Sequence, residues 1–104
     1  MAERLALLLA CMPLAAWGAE PPPARQADLL YLLRQDCGSC HGLTLKGGLG
    51  PPLLPASLTA QQPEGLAQII LGGVPGTPMP PWAFEIAPDE ALWLARRLQS
   101  GDIP

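Results

Sequence analysis

The sequence predicts a single small domain of the all-α class, and three observations favour this fold. The chain has 104 residues, which suffice for one domain and one core. Three segments repeat apolar residues at helical spacing, and each is bounded by residues that favour helix ends. No segment alternates apolar and polar residues as a half-buried β-strand does, so a sheet is not expected.

The composition indicates that side chains alone do not fill the core. Hydrophobic residues make up 49% of the chain but aromatic residues only 5%, so the bulky side chains of a small core are scarce. The 11 glycines and 14 prolines are spread among apolar periodic segments, which argues against disorder. The net charge of −3 and the lack of a Lys/Arg cluster exclude nucleic acid as a partner.

The first 18 residues predict an export signal that is cleaved. Arg4 precedes an apolar run over 5–16, which is too short to span a bilayer, and small residues occupy the positions before the predicted cleavage. The alternatives are an uncleaved membrane anchor and a lipoprotein signal with an acylated Cys11. The predicted organisation is a signal peptide over 1–18, a Pro-rich N-terminal extension over 19–26 and a domain over 27–104.

Three helices are predicted along the rest of the chain. The first, over 27–36, carries leucines on one face and leads directly into Cys37. The second, over 63–71, has proline in its first turn and stops at a pair of glycines. The third, over 88–100, has acidic residues at its start, where the helix dipole favours them, and Gly101 ends it.

Cys37 and Cys40 belong to a C-x-x-C-H run that ends at His41. In this arrangement two thiols add to the two vinyl groups of a haem while the adjacent imidazole coordinates the iron. One turn of backbone separates the thiols by about the distance between the vinyl groups. The residue that follows the second thiol, His41, is then placed below the iron. The run therefore predicts one covalently attached haem c, with His41 as an axial ligand of the iron.

The same residues allow three other interpretations. A structural zinc site needs four ligands, and after export only three Cys and His residues remain. A thioredoxin-like dithiol needs a βαβ context, which the sequence does not indicate. A disulfide between Cys37 and Cys40 would close a very small loop and leave His41 without a role.

Met79 is the predicted second axial ligand. After the predicted cleavage it is the only methionine, and it lies 38 residues beyond His41 among Pro78, Pro80 and Pro81. A thioether favours ferrous iron, so a Met/His pair raises the reduction potential. The prolines fix φ on both sides of the methionine and stiffen the loop. The alternative is that Met79 only fills a gap in the core.

These motifs resemble those of the class I cytochromes c. The resemblance covers 28–100 and rests on the C-x-x-C-H run, on Gly50-Pro51-Pro52-Leu53 and on Pro78-Met79-Pro80. It implies three or more helices around one covalently attached haem, with the terminal helices crossing near it. It also implies that the Pro51 carbonyl accepts the ring N–H of His41 and orients the imidazole.

Within this family the chain is similar to the small periplasmic monohaem cytochromes of denitrification gene clusters, the NirC type. This similarity implies a periplasmic, monomeric single-electron carrier without catalytic residues and without a membrane span after signal cleavage. Its redox partner would be the haem-d1 nitrite reductase or a protein of haem d1 assembly. One departure is Arg97, which precedes Leu98 where members often have an aromatic residue; Trp93 is expected to take over that packing.

Two alternative functions remain open from the sequence. Haem-based catalysis or gas sensing would require Met79 to be displaceable, and only Thr77, Trp82 and Glu85 lie near it as polar or indole side chains. The other alternative is a haem subunit of a larger oxidoreductase. An electron carrier requires only burial and six-coordinate ligation of the haem, so it is the favoured interpretation.

Overall fold

The fold is all-α, as predicted, in a computed structural model that describes residues 20–104. Helix α1 is followed by a π-helical segment and the short helix α2, and three further helices complete the domain. Within residues 20–104 no β-strand is formed. The elements are α1 (Pro23–Leu32), the π-helical segment (Leu33–Cys37), α2 (Gly38–His41), α3 (Pro55–Leu58), α4 (Pro63–Gly72) and α5 (Pro88–Ser100).

The first helix begins four residues earlier than the sequence suggests. Pro23 occupies its first turn, where the fixed φ suits a helix and the missing N–H costs nothing. The Gln26 N–H donates to the Pro22 carbonyl at 2.9 Å, and the Gln26 side chain donates to the Pro21 carbonyl at 2.8 Å. The end of the predicted extension is thus helical, while the predicted signal peptide lies outside the described residues.

The core forms where α5 packs against α4, α3 and α1. Ala91 and Ala95, four residues apart on α5, are completely buried, and their small side chains let the neighbouring helices approach closely. Leu29 of α1 and Leu94 of α5 are the large side chains at the centre, at 0% and 1% exposure. Trp93 is buried as expected, and the Arg97 guanidinium lies 4.9 Å from its ring centroid.

An ion pair joins α1 to the start of α5. The Glu90 carboxylate accepts hydrogen bonds from Nε of Arg25 at 2.5 Å and from Nη2 at 3.0 Å. It also accepts the Ala87 N–H at 3.0 Å, so it caps the helix to which it belongs. The hydrogen bond from Arg25 lowers the pKa of Glu90 and the Ala87 N–H adds to this, whereas burial acts in the opposite direction.

Candidate haem site

The two thiols lie on consecutive turns at the end of the first helical stretch. The π-helical segment ends at Cys37, and π turns are frequent at functional sites. Cys40 follows in α2, where Ser39 Oγ donates to the Asp36 carbonyl at 2.8 Å and braces the turn. Both cysteines are free, so the structure does not contain the alternative disulfide. Burial raises the pKa of the Cys37 thiol to about 11, and the Asp36 carboxylate adds to the shift.

The imidazole of His41 is oriented by a backbone carbonyl. Its Nδ1 lies 2.7 Å from the Pro51 oxygen. Because a carbonyl can only accept, Nδ1 carries the proton and Nε2 is left as the nitrogen that can coordinate a metal. The loop between the two residues folds back on α2, since the Gly50 N–H donates to the Cys40 carbonyl at 2.8 Å. The ring therefore has one preferred orientation.

Gly50 allows this close approach. A Cβ at this position would lie 2.7 Å from both Cε1 and Nδ1 of His41, well inside van der Waals contact. The glycine before Pro51 is thus required by the imidazole that packs against it. The sequence motif contains this residue, but nothing in the sequence indicates its contact with the ring.

Met79 is held at the end of α4 by a loop that returns to the same helix. The Met79 carbonyl accepts the Val74 N–H at 3.2 Å, directly after the helix ends. Three residues later, the Trp82 N–H donates to the Ile70 carbonyl at 3.0 Å and the Ala83 N–H donates to the Leu71 carbonyl at 3.2 Å. These donors satisfy carbonyls that the last turn of a helix leaves without a partner.

The predicted residues fall into two groups in the structure. Cys37, Cys40, His41 and Pro51 form one local group, with His41 and Pro51 in direct contact. The hydrogen bonds of Met79 are with Val74 and Thr77 of its own loop. The two groups offer thiol, imidazole and thioether, which is the donor set that suits a c-type haem.

Residues 20–104 form neither a cluster of metal ligands nor a helix of transmembrane length. In this part of the chain no three His, Cys, Asp or Glu side chains gather into a cluster that could hold a metal ion. No helix of this region is long and apolar enough to cross a membrane.

Comparison with known proteins identifies the family. The family described as cytochrome c oxidase, cbb3-type, subunit III matches residues 24–96. Cytochrome c55X of Pseudomonas aeruginosa is 54% identical over 100 residues, which cover 95% of this chain and 83% of the relative. The chain belongs to the cytochrome c55X family. As a c-type cytochrome it is an electron carrier with one covalently bound haem c, and not an enzyme.

Two solved structures extend the comparison. The c-type cytochrome NirC is 54% identical, with a TM-score of 0.78 over 80% of this chain and 98% of that chain. Dihydro-heme d1 dehydrogenase NirN in complex with DHE is 39% identical, with a TM-score of 0.61 over 66% of this chain and 15% of that much longer chain. The predicted resemblance to NirC-type class I cytochromes c is thus confirmed.

Proposed function

We propose that Cys37 and Cys40 would hold the haem through thioether bonds and that His41 and Met79 would ligate its iron. The bound haem supplies the one-electron chemistry. The observation that carries the proposal is the 2.7 Å contact between His41 Nδ1 and the Pro51 carbonyl, because it directs Nε2 to a metal and makes the imidazole a better donor.

The structure of the Met79 loop supports ligation by sulfur. Met79 is half-buried, and its carbonyl is fixed by the Val74 N–H. Pro78 and Pro80 restrict φ on either side. A side chain that is held in this way needs little reordering when it binds or when the iron changes oxidation state. A methionine that only filled a gap in the core would not need such a loop.

We further propose that the carrier works in the periplasm, next to the haem-d1 nitrite reductase or in haem d1 assembly. Relatedness to NirC and to part of a dihydro-heme d1 dehydrogenase supports this context. The sequence of residues 1–18 supports export. The redox partner would be a protein of that pathway.

Docking to that partner is expected to be weak and mainly apolar. Five of the six basic residues lie beyond residue 18, and they are spread over the chain without a lysine cluster. Leu49, beside Gly50, is 92% exposed, and Val74, beside Met79, is 39% exposed. Small apolar contacts suit transient electron transfer, so the association rate should depend little on salt. The candidate contact residues are Leu49, Pro52, Val74, Pro78 and Pro80.

The ligation is tested by the visible spectra of the holoprotein, oxidised and reduced, with and without Met79→Ala. We expect a low-spin wild type with the weak ferric charge-transfer band of sulfur ligation, and loss of this band in the variant. Leu43→Ala, at a side chain that is 78% exposed, is the matched control and should keep the band. A high-spin wild type, or ready binding of CO to the reduced wild type, would reject ligation of the iron by Met79.

The pathway is tested separately by deleting the gene in a denitrifying strain. A role as electron donor predicts a nitrite reductase with its full haem d1 content but slower nitrite reduction, and reduced carrier should restore the rate in vitro. A role in assembly predicts an enzyme that lacks haem d1. Unchanged haem d1 content together with unchanged nitrite reduction would contradict both forms of the proposal.

A further inference from the structure

The loop that carries Met79 holds this residue by both of its backbone groups. Its carbonyl accepts the Val74 N–H at 3.2 Å, and its N–H donates to the hydroxyl of Thr77 at 3.3 Å. The neighbouring prolines have no N–H, so Met79 has the only backbone donor between Thr77 and Trp82. The Thr77 hydroxyl is the partner of this single donor.

Thr77 also binds the residue at the start of the loop, Val74. Its hydroxyl donates to the Val74 carbonyl at 2.7 Å, and its N–H donates to the same carbonyl at 3.1 Å. Residues 74–79 therefore form a closed set of hydrogen bonds through Val74, Thr77 and Met79. Gly73 lies directly behind this set, since a Cβ there would be 2.7 Å from the Met79 oxygen.

We propose that Thr77 is a positioning residue for Met79. The hydroxyl of Thr77 keeps the sulfur of Met79 at the haem iron. This inference rests on the ligation by Met79 proposed above. Prolines fix φ but leave ψ free, so the loop needs a further restraint to hold one conformation. The Thr77 hydroxyl supplies it, because it ties the Met79 N–H to the carbonyl that follows α4. Without this restraint the Met79 sulfur would be away from the iron for a larger fraction of the time.

The test measures imidazole binding to the ferric holoprotein of the wild type, Thr77→Val and Thr77→Ser. Imidazole binds the iron only when Met79 has left it. The apparent affinity for imidazole therefore rises in proportion to the fraction of the protein in which Met79 is not bound to the iron. Valine has the shape of threonine without the hydroxyl, whereas serine keeps the hydroxyl. We expect about tenfold tighter imidazole binding in Thr77→Val, the factor that about 1.4 kcal/mol produces, with a weaker sulfur band. Thr77→Ser should bind imidazole as the wild type does.

Thr59→Val is the matched control, since Thr59 is exposed and its side chain makes no hydrogen bond within residues 20–104. It should leave both readouts unchanged. Thr77→Ala, which also lacks the hydroxyl, must repeat the effect of Thr77→Val and replaces it if the valine variant does not retain haem. Wild-type imidazole affinity in the variants without the hydroxyl would overturn the inference, as would a serine variant that is as affected as they are. A wild type without the sulfur band would instead reject ligation by Met79 itself, and this inference with it.

Discussion

Replacing Glu90 by glutamine is expected to destabilise the domain by removing the ion pair between α1 and α5. The Glu90 side chain is 14% exposed and the Arg25 side chain 36%, so solvent screens the pair only in part. The amide oxygen of glutamine can still accept the Ala87 N–H, but glutamine has no charge to pair with Arg25 and its NH2 group cannot accept a hydrogen bond from the guanidinium. We expect the free energy of unfolding to fall by about 1 kcal/mol. Glu90→Ala also removes the cap of α5 and should cost roughly 1 kcal/mol more.

The difference between wild type and Glu90→Gln should depend on pH. Because the pKa of Glu90 is lowered in the folded protein, the ion pair contributes fully above the unfolded pKa of about 4.3. The contribution is lost as the pH falls through the lower, folded pKa. The two proteins should therefore differ at neutral pH and converge in acid, and added salt should reduce the difference.

The assay is denaturant unfolding of the holoprotein at several pH values, in a double-mutant cycle with Arg25→Gln. Glu64→Gln is the control, because Glu64 also lies in the first turn of a helix but forms no ion pair in the described part of the chain. It should shift the unfolding midpoint little. A coupling energy of zero between Arg25 and Glu90, or a difference between wild type and Glu90→Gln that persists unchanged in acid, would refute the reasoning.

Two glycines and a control give the remaining predictions. Gly50→Ala should displace the His41 ring, because the new Cβ would lie 2.7 Å from it; we expect less haem attached per protein and a shifted reduction potential, both measured on purified protein. Gly73→Ala should weaken the ferric sulfur band of Met79, because Gly73 has a φ of 67° and no room for a Cβ. Gly65→Ala on α4 is the control, because a Cβ at this position would have nothing within 4 Å. It should keep the band and stabilise the protein by about 0.5–1 kcal/mol, measured by unfolding. An equal loss of the band in Gly73→Ala and Gly65→Ala would show that strain at Gly73 is not the cause.

The C-x-x-C-H run could be found from sequence because its chemistry is local. Cys37, Cys40 and His41 lie within five consecutive residues, so one helical turn is enough to arrange them. The contact between His41 and the Pro51 carbonyl was expected only through the resemblance to class I cytochromes c. Ten residues separate the partners, and no periodicity in the chain indicates how the loop between them returns. The way in which Gly50 makes room for the ring needed coordinates.

The local details of the helices were harder to predict. The sequence pattern gave no sign of the π-helical segment, since one extra residue in a turn changes the apolar spacing very little. Helix α3 has four residues, from Pro55 to Leu58, which is too short for periodicity to be recognised. The end of this short helix is tied to α5 by Gln99. The Gln99 side chain donates to the Leu58 carbonyl at 3.1 Å and to the Gln61 carbonyl at 2.7 Å. Such tertiary hydrogen bonds from α5 have no counterpart in sequence spacing.

The prolines explain how a chain with 14 of them and little aromatic content can form a well-defined helical domain. Each of the helices α1, α3, α4 and α5 has a proline in its first turn, where the missing N–H would have no partner in any case. A second group surrounds Met79 and removes all but one backbone donor from that stretch. Because proline also restricts the unfolded chain, both groups lower the entropy that folding must overcome. The same composition that suggests disorder in a polar sequence therefore defines helix starts here and holds the methionine loop in one shape.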